Sequence, residues 1–193
     1  MDAYRAALEY LTRLEVSAGW DLKLERMRAA VARYGHPERA WPAVHIAGTN
    51  GKGSTAAMVE AILRAAGYRT GLYTSPHLVD FTERMRVNGR TIPREAVVAL
   101  VEELRAELRL AGIALTHFEF VTLMAFEWFK SIGMPMVCAP VFNHLHHFQS
   151  LLRRLGFRKI GIEHTPDGIP TETIYGYFFT EETPNEDPVR TTE

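Results

Sequence analysis

The chain has 193 residues, 47% of them hydrophobic, so it is long enough to bury a core and is expected to form one domain with a small additional module. Its formal net charge of −1 and pI near 6.7 argue against a nucleic-acid binder or a membrane-surface protein, and favour small-molecule or protein partners. The single cysteine excludes an intrachain disulfide, the charged amino-terminus lacks the apolar run of a signal peptide, and no uncharged stretch approaches the length of a membrane span, so we expect a cytoplasmic protein.

The first 75 residues predict two helices followed by a strand–loop–helix–strand unit. The strand is the apolar stretch WPAVHIAG, the next helix runs from Ser54 to Ala66 and stops at Gly67, and RTGLYTS is the second strand. Such a unit is typical of a parallel sheet covered by helices. The first two helices are indicated by apolar residues at helical spacing: Tyr4, Leu8 and Leu11, then Leu22, Leu24, Met27 and Val31.

A hairpin and two longer helices are predicted next. VNGRTI indicates a turn at Asn88-Gly89, Pro93 is expected in the first turn of a helix that ends near Leu110, and another helix should run from about Phe118 to Lys130. Residues 1 to about 130 are therefore predicted to form a three-layer α/β domain of the P-loop type with a mainly parallel sheet.

The composition changes near residue 130. Alanine occurs 21 times up to residue 129 and once afterwards, and we expect residues 131–193 to form a small α+β tail module of unknown function. NHLHHFQSLLRRLGF is predicted to be helical, RKIGIEHT and TETIYGYFFT to be strands on either side of PDGIP, and roughly the last ten residues to be flexible.

The loop HIAGTNGKGST is the strongest chemical signal. Amide groups of a glycine-rich turn at the start of a helix can hold phosphate oxygens, a lysine adds positive charge, and a hydroxyl can face Mg²⁺. Gly48, Gly51, Lys52, Gly53 and Ser54 supply these parts, although Gly53 separates Lys52 from Ser54, unlike the usual pattern. The alternative for the loop is a glycine-rich surface turn with an exposed lysine. For Ser54 the alternative to a place near Mg²⁺ is that it merely caps the helix.

Four linked motifs, HIAGTNGKGS, YTSPHL, ERMRVNG and FEFVTLMAF, carry a family resemblance over about residues 1 to 130. In order and spacing the chain resembles the amino-terminal ATP-binding domain of dihydrofolate synthase/folylpolyglutamate synthase, of the Mur ligase superfamily. This family joins L-glutamate to a folate or dihydropteroate carboxylate, which ATP first converts into an acyl phosphate. The resemblance implies ATP and Mg²⁺ as cofactors, and nucleotide and folate or dihydropteroate as ligands, with self-association left open.

The resemblance also implies roles for individual residues. Ser54 and Ser75 would be close to Mg²⁺, although the sequence alone favours a serine–proline turn as the explanation of Ser75. Glu83 and Arg84 would stabilise a loop beside the ligands, and we expect both charges to be structural. The residues expected to hold the ATP phosphates are Thr49, Asn50, Gly51, Lys52, Gly53, Ser54 and Thr55.

On the folate side, the resemblance implies that Thr116 hydrogen-bonds the pterin and that Phe118 stacks on it. The alternative is that Phe118 and Phe120 are ordinary core residues at a helix start. His77 is expected to pack within its loop, and Cys138 to be a small buried hydrophobic residue. The histidines at 144, 146 and 147 are expected to line a helix surface, because they lack the count and geometry of a metal site.

The chain departs from the family after residue 130. The family continues with a metal-binding glutamate on a strand, a Gly-Gly-Arg segment and a carboxy-terminal domain, whereas no acidic residue occurs here between Glu127 and Glu163. We therefore expect a truncated synthase that binds Mg-ATP but is a poor or inactive ligase alone, with no confident catalytic residue. A non-catalytic nucleotide-binding or self-association module is the alternative.

Overall fold

The computed structural model describes residues 2–17, 24–48, 51–135, 137–142, 158–164 and 170–176. The helices are α1 (Ala3–Ser17), α2 (Glu25–Arg33), α3 (Lys52–Ala65), α4 (Arg94–Leu110) and α5 (His117–Ser131), with short 3₁₀ turns at Pro37–Arg39 and Phe81–Arg84. The strands are β1 (Ala43–Gly48), β2 (Gly71–Tyr73), β3 (Met85–Val87), β4 (Arg90–Thr91), β5 (Val137–Phe142), β6 (Arg158–His164) and β7 (Pro170–Gly176).

The described strands form one sheet in the order β4–β3–β2–β5–β1–β7–β6. At the centre of the sheet, β5 is parallel to both β1 and β2. The outer strands are antiparallel to their neighbours: β3 and β4 extend the sheet beyond β2, and β7 and β6 extend it beyond β1. The carboxyl ends of β1, β2 and β5 therefore meet at one edge of the sheet, where open α/β sheets place their ligands.

Two apolar clusters cover the two faces of this sheet. Because strand side chains alternate, Leu72 and Cys138 face α3 in the smaller cluster, whereas Tyr73 and Val137 join the larger cluster of α1, α2, α4 and α5. The helices and sheet thus form three layers, and the predicted α/β class with its parallel centre is confirmed. Gly71 allows the Phe129 ring of α5 to pack closely on β2, since a Cβ there would lie 3.0 Å from a ring carbon of Phe129.

Most predicted elements occur where the sequence indicated. The hairpin turn at Asn88 and Gly89 is confirmed, and both residues have positive φ, as a two-residue turn of this kind requires. Pro93 lies one position outside α4, as its cap residue, so its expected place in the first turn was wrong. None of the helices in the described ranges combines the length and the apolar composition of a membrane-spanning helix.

The region after residue 130 contributes strands to the same sheet. β5 lies between β1 and β2, β7 pairs with the other side of β1, and β6 pairs with β7. The two strands predicted around PDGIP are confirmed as β6 and β7. The predicted helix over NHLHHFQSLLRRLGF, its three histidines and the expected flexible end lie outside the described residues.

Candidate functional site

The glycine-rich loop lies at the carboxyl edge of the parallel strands. β1 ends at Gly48 and α3 begins at Lys52, so the predicted strand–loop–helix connection is confirmed. Gly51 has φ of 75°, a left-handed conformation that glycine adopts without strain, and this turn directs the chain from β1 into α3. Thr49 and Asn50 lie outside the described residues.

The first turn of α3 presents amide groups without a side-chain cap. Gly51 occupies the cap position and has no side chain that could accept a hydrogen bond from these amides. The Thr55 amide donates to the Gly51 carbonyl at 2.8 Å. The interpretation of Ser54 as the helix cap was therefore wrong, because α3 begins two residues earlier. A helix start of this kind favours binding of an anion, because its first-turn N–H groups have no partner within the helix and the helix dipole is positive at this end.

The side chains of this turn divide between the sheet and the surface. Lys52 and Thr55 are buried on the sheet side of α3, whereas Gly53 and Ser54 are exposed. A Cβ built on Gly53 meets nothing within 4 Å. The space beside the Gly53 backbone is therefore open to a ligand.

Ser75 belongs to a second loop, which follows β2 at the same edge of the sheet. The buried guanidinium of Arg84 donates to the Ser75 hydroxyl and to Nδ1 of His77, both at 2.9 Å. Burial and the neighbouring Arg84 charge lower the pKa of His77, so the ring is neutral and carries its proton on Nε2. The structural roles expected for Arg84 and for His77 in its loop are confirmed.

Glu83 holds the tip of this second loop. Its carboxylate accepts hydrogen bonds from the amides of Leu78, Val79 and Asp80 at 3.0–3.1 Å. These amides, that of Asp80 first, lower the pKa of Glu83. The structural role expected for Glu83 is thus confirmed, and the loop keeps Leu78 and Val79 exposed at 91% and 89%.

Asp80 connects the same loop to α1 and α4. Its carboxylate accepts from the Thr82 amide and hydroxyl, from the Tyr4 hydroxyl at 2.8 Å and from Arg94 at 2.6 Å. These hydrogen bonds, chiefly from the Thr82 amide, lower the pKa of Asp80. The sequence interpretation missed this network, although the pattern Asp-Phe-Thr-Glu at 80–83 is a capping box that could have indicated it.

The residues proposed for the metal offer few ligands by themselves. Ser54 and Ser75 provide neutral hydroxyl oxygens, and the Arg84 charge next to Ser75 opposes a cation. In the described part of the chain, no cluster of three or more histidine, cysteine, aspartate or glutamate side chains could hold a metal. A hard cation here would need phosphate oxygens and water for most of its coordination.

Thr116 and Phe118 lie at the start of α5. The Thr116 hydroxyl accepts from the Glu119 amide at 3.3 Å, and the Glu119 carboxylate accepts from the Thr116 amide at 2.7 Å, which completes a capping box. Phe118 is 55% exposed, whereas Phe120 is buried. The core alternative is therefore confirmed for Phe120 and wrong for Phe118, whose ring is available for stacking.

Cys138 lies on β5 beneath α3 and is fully buried. Burial raises the pKa of its thiol to about 12, so the reactive thiolate is absent at neutral pH. The prediction of a small buried hydrophobic residue is confirmed.

Comparison with known proteins places this geometry in a family. No family model matches the chain, but it is 44% identical over 134 residues to the dihydrofolate synthase/folylpolyglutamate synthase of Escherichia coli, covering 69% of this chain and 31% of the relative. The chain is homologous to the amino-terminal domain of the dihydrofolate synthase/folylpolyglutamate synthases. The predicted resemblance is thus confirmed.

Solved structures of dihydrofolate synthase/folylpolyglutamate synthases share the fold. E. coli FolC in complex with DHPP and ADP matches with a TM-score of 0.64 and 41% identity, covering 70% of this chain and 33% of that one. The Yersinia pestis enzyme complexed with AMPPNP and Mn ion matches with a TM-score of 0.64 and 38% identity over 72% and 33% of the two chains. The chain spans about one third of the length of these relatives.

Proposed function

We propose that this chain binds the phosphates of ATP at the loop between β1 and α3, together with Mg²⁺. The observation that carries the proposal is the left-handed turn at Gly51, which presents the first-turn amides of α3 and Lys52 at the carboxyl edge of the sheet. Positive charge and fixed N–H donors are what a transferring γ-phosphate requires. The nucleotides in the related E. coli and Y. pestis structures support this assignment.

Within this proposal, the described phosphate-binding residues are Gly51, Lys52, Gly53, Ser54 and Thr55, with Thr49 and Asn50 between Gly48 and that turn. The hydroxyl oxygens of Ser54 and Ser75 would face the metal. Phosphate oxygens and water would complete its coordination. The metal, when bound, neutralises phosphate charge. Arg84 fixes the Ser75 hydroxyl and leaves a second lone pair of its oxygen available, while the ATP phosphates would offset the repulsion between the Arg84 charge and the metal.

The substrate class follows from the family. In its reaction, the γ-phosphoryl group moves from ATP to a folate or dihydropteroate carboxylate, giving ADP and an acyl phosphate, and the amine of L-glutamate then displaces phosphate to form the amide. We place the pterin near Phe118, whose exposed ring can stack on a flat heterocycle, with Thr116 as a hydrogen-bonding neighbour.

A specific observation favours nucleotide binding without ligase turnover by this chain alone. The described residues contain no carboxylate cluster for a metal, and the sequence has no acidic residue between Glu127 and Glu163. Phosphoryl transfer requires the acceptor, metal and γ-phosphate to be fixed together, and such positioning contributes roughly 7–11 kcal/mol. We therefore expect binding of Mg-ATP but little or no product.

The test is a coupled ADP assay with Mg-ATP, L-glutamate and either dihydropteroate or a reduced folate, together with mass detection of the glutamylated product. Calorimetric ATP binding without product supports the binding role. Turnover of about 1 per second or more, lost in Lys52→Ala, would establish the chain as a ligase in its own right. Absence of ATP binding would contradict the whole proposal.

A further inference from the structure

A second positively charged groove lies far from the glycine-rich loop. Its volume is about 680 Å³, and its lining includes Arg64, Arg69, Arg90, Tyr68 and Asn88. Arg64 is near the carboxyl end of α3, twelve residues after Lys52, so at 1.5 Å per residue the groove lies about 18 Å along the helix from the loop. The groove is thus at the opposite edge of the sheet, beside the β3–β4 hairpin.

The charges that line this groove have one sign. Its residues include three arginines and no acidic residue, although the whole chain has a net charge of −1. The buried Glu60 pairs with one of these arginines: its carboxylate accepts from the Thr70 hydroxyl at 2.6 Å and lies 3.3 Å from Nε of Arg64. Glu60 therefore holds Arg64 in place and neutralises only part of the positive charge.

Asn88 adds a directed polar group. Its side-chain oxygen accepts from the Thr70 amide at 2.9 Å, and this bond fixes which end of the side-chain amide faces inward. The amide nitrogen is consequently the end that offers donors to a ligand. Tyr68, 57% exposed, provides an aromatic surface beside these donors.

We propose that this groove is a binding site for a small molecule that carries two or more adjacent phosphate groups. Guanidinium groups match phosphate oxygens in geometry and charge. Several guanidinium groups around one groove favour a multiply charged anion over a singly charged one. The source of the phosphates is either a nucleotide, whose base would stack on Tyr68, or a free polyphosphate. This site does not depend on the loop after β1.

The experiment uses the full chain carrying Lys52→Ala, which weakens any phosphate binding at the loop. Calorimetry measures the Kd for inorganic tripolyphosphate, and NMR follows the signals of Gly67 and Asn88. In this background we expect saturable binding with shifts at both residues, and Arg90→Gln should raise Kd about tenfold, as loss of one charge-assisted contact would. Arg90 is preferred to Arg64, whose removal would strip a partner from the buried Glu60.

Arg109→Gln is the matched control, because it removes an exposed arginine from the end of α4, away from the groove. It should leave Kd unchanged. The proposal is overturned if Arg90→Gln has no effect, if Arg109→Gln weakens binding equally, or if sulfate binds as tightly as tripolyphosphate. Tighter binding of ATP than of tripolyphosphate, reversed by Tyr68→Ala, identifies the nucleotide source, and equal binding identifies free polyphosphate.

Discussion

The substitution Gly53→Ala should stabilise α3 and, at the same time, weaken the phosphate binding proposed at its first turn. Gly53 lies in the first turn of the helix, and a Cβ there meets nothing within 4 Å, so the methyl group causes no clash within the protein. Alanine is a better helix former than glycine by up to about 1 kcal/mol in a helix interior, and near the helix end we expect a gain of roughly 0.5 kcal/mol. The same methyl group would occupy the space through which a phosphate approaches the backbone.

We therefore expect Gly53→Ala to unfold at higher urea concentration and to bind Mg-ATP more weakly. Loss of one charge-assisted hydrogen bond is worth about 1.5–3 kcal/mol, or roughly 10- to 100-fold in Kd by calorimetry. Gly112→Ala is the control, because Gly112 has φ of 67° and lies after α4, so this change should cost stability without affecting ATP. Unchanged ATP affinity in a stabilised Gly53→Ala protein would refute the placement of phosphate at this turn.

Three further predictions concern the site and its second loop. Lys52→Ala should weaken Mg-ATP binding by about 1.5–3 kcal/mol, and equal affinities by calorimetry would rule out a phosphate contact. Hydrogen bonds lower the pKa of Glu83 in the folded protein, so the stability that its carboxylate contributes is present above the unfolded pKa and is lost as pH falls. Glu83→Gln should therefore flatten the decline in Tm between about pH 5 and pH 3, and parallel Tm curves for the two proteins would contradict this. Phe118→Ala should weaken binding of a folate analogue and change the free energy of unfolding by less than about 0.5 kcal/mol, whereas the buried Phe120→Ala should cost about 3–5 kcal/mol; a large loss of stability in Phe118→Ala would indicate a core role.

Sequence patterns predict a turn or a helix end well where the conformational preference of one or two residues determines it. The turn at Asn88 and Gly89 needs positive φ at both residues, and these are residue types that tolerate it. α3 begins two residues before the predicted Ser54, because the left-handed turn at Gly51 starts the helix, although serine is the residue type that prefers cap positions. Neighbouring residues in the sequence could not decide between those two causes.

Long-range pairing was beyond the sequence patterns. RKIGIEHT and TETIYGYFFT read as strands, but nothing in either stretch indicates that β7 pairs with β1. The bond from Arg84 to Ser75 and the grouping of three arginines beside the hairpin also depend on side chains that meet only after folding. The sequence therefore predicts the glycine-rich turn between β1 and α3 by its local form, and the surroundings of Ser75 only in part.

The position of β5 has a consequence for how the chain folds. Ala43 pairs with Val137, so β1 pairs with a central strand that the ribosome makes only after β2, β3 and β4. Until β5 emerges, β1 and β2 have no common neighbour and each presents unpaired backbone groups that another chain could bind. Since pairings between distant residues slow folding, the sheet should close late and slowly, and a nascent chain arrested before β5 should be sensitive to protease and prone to aggregation.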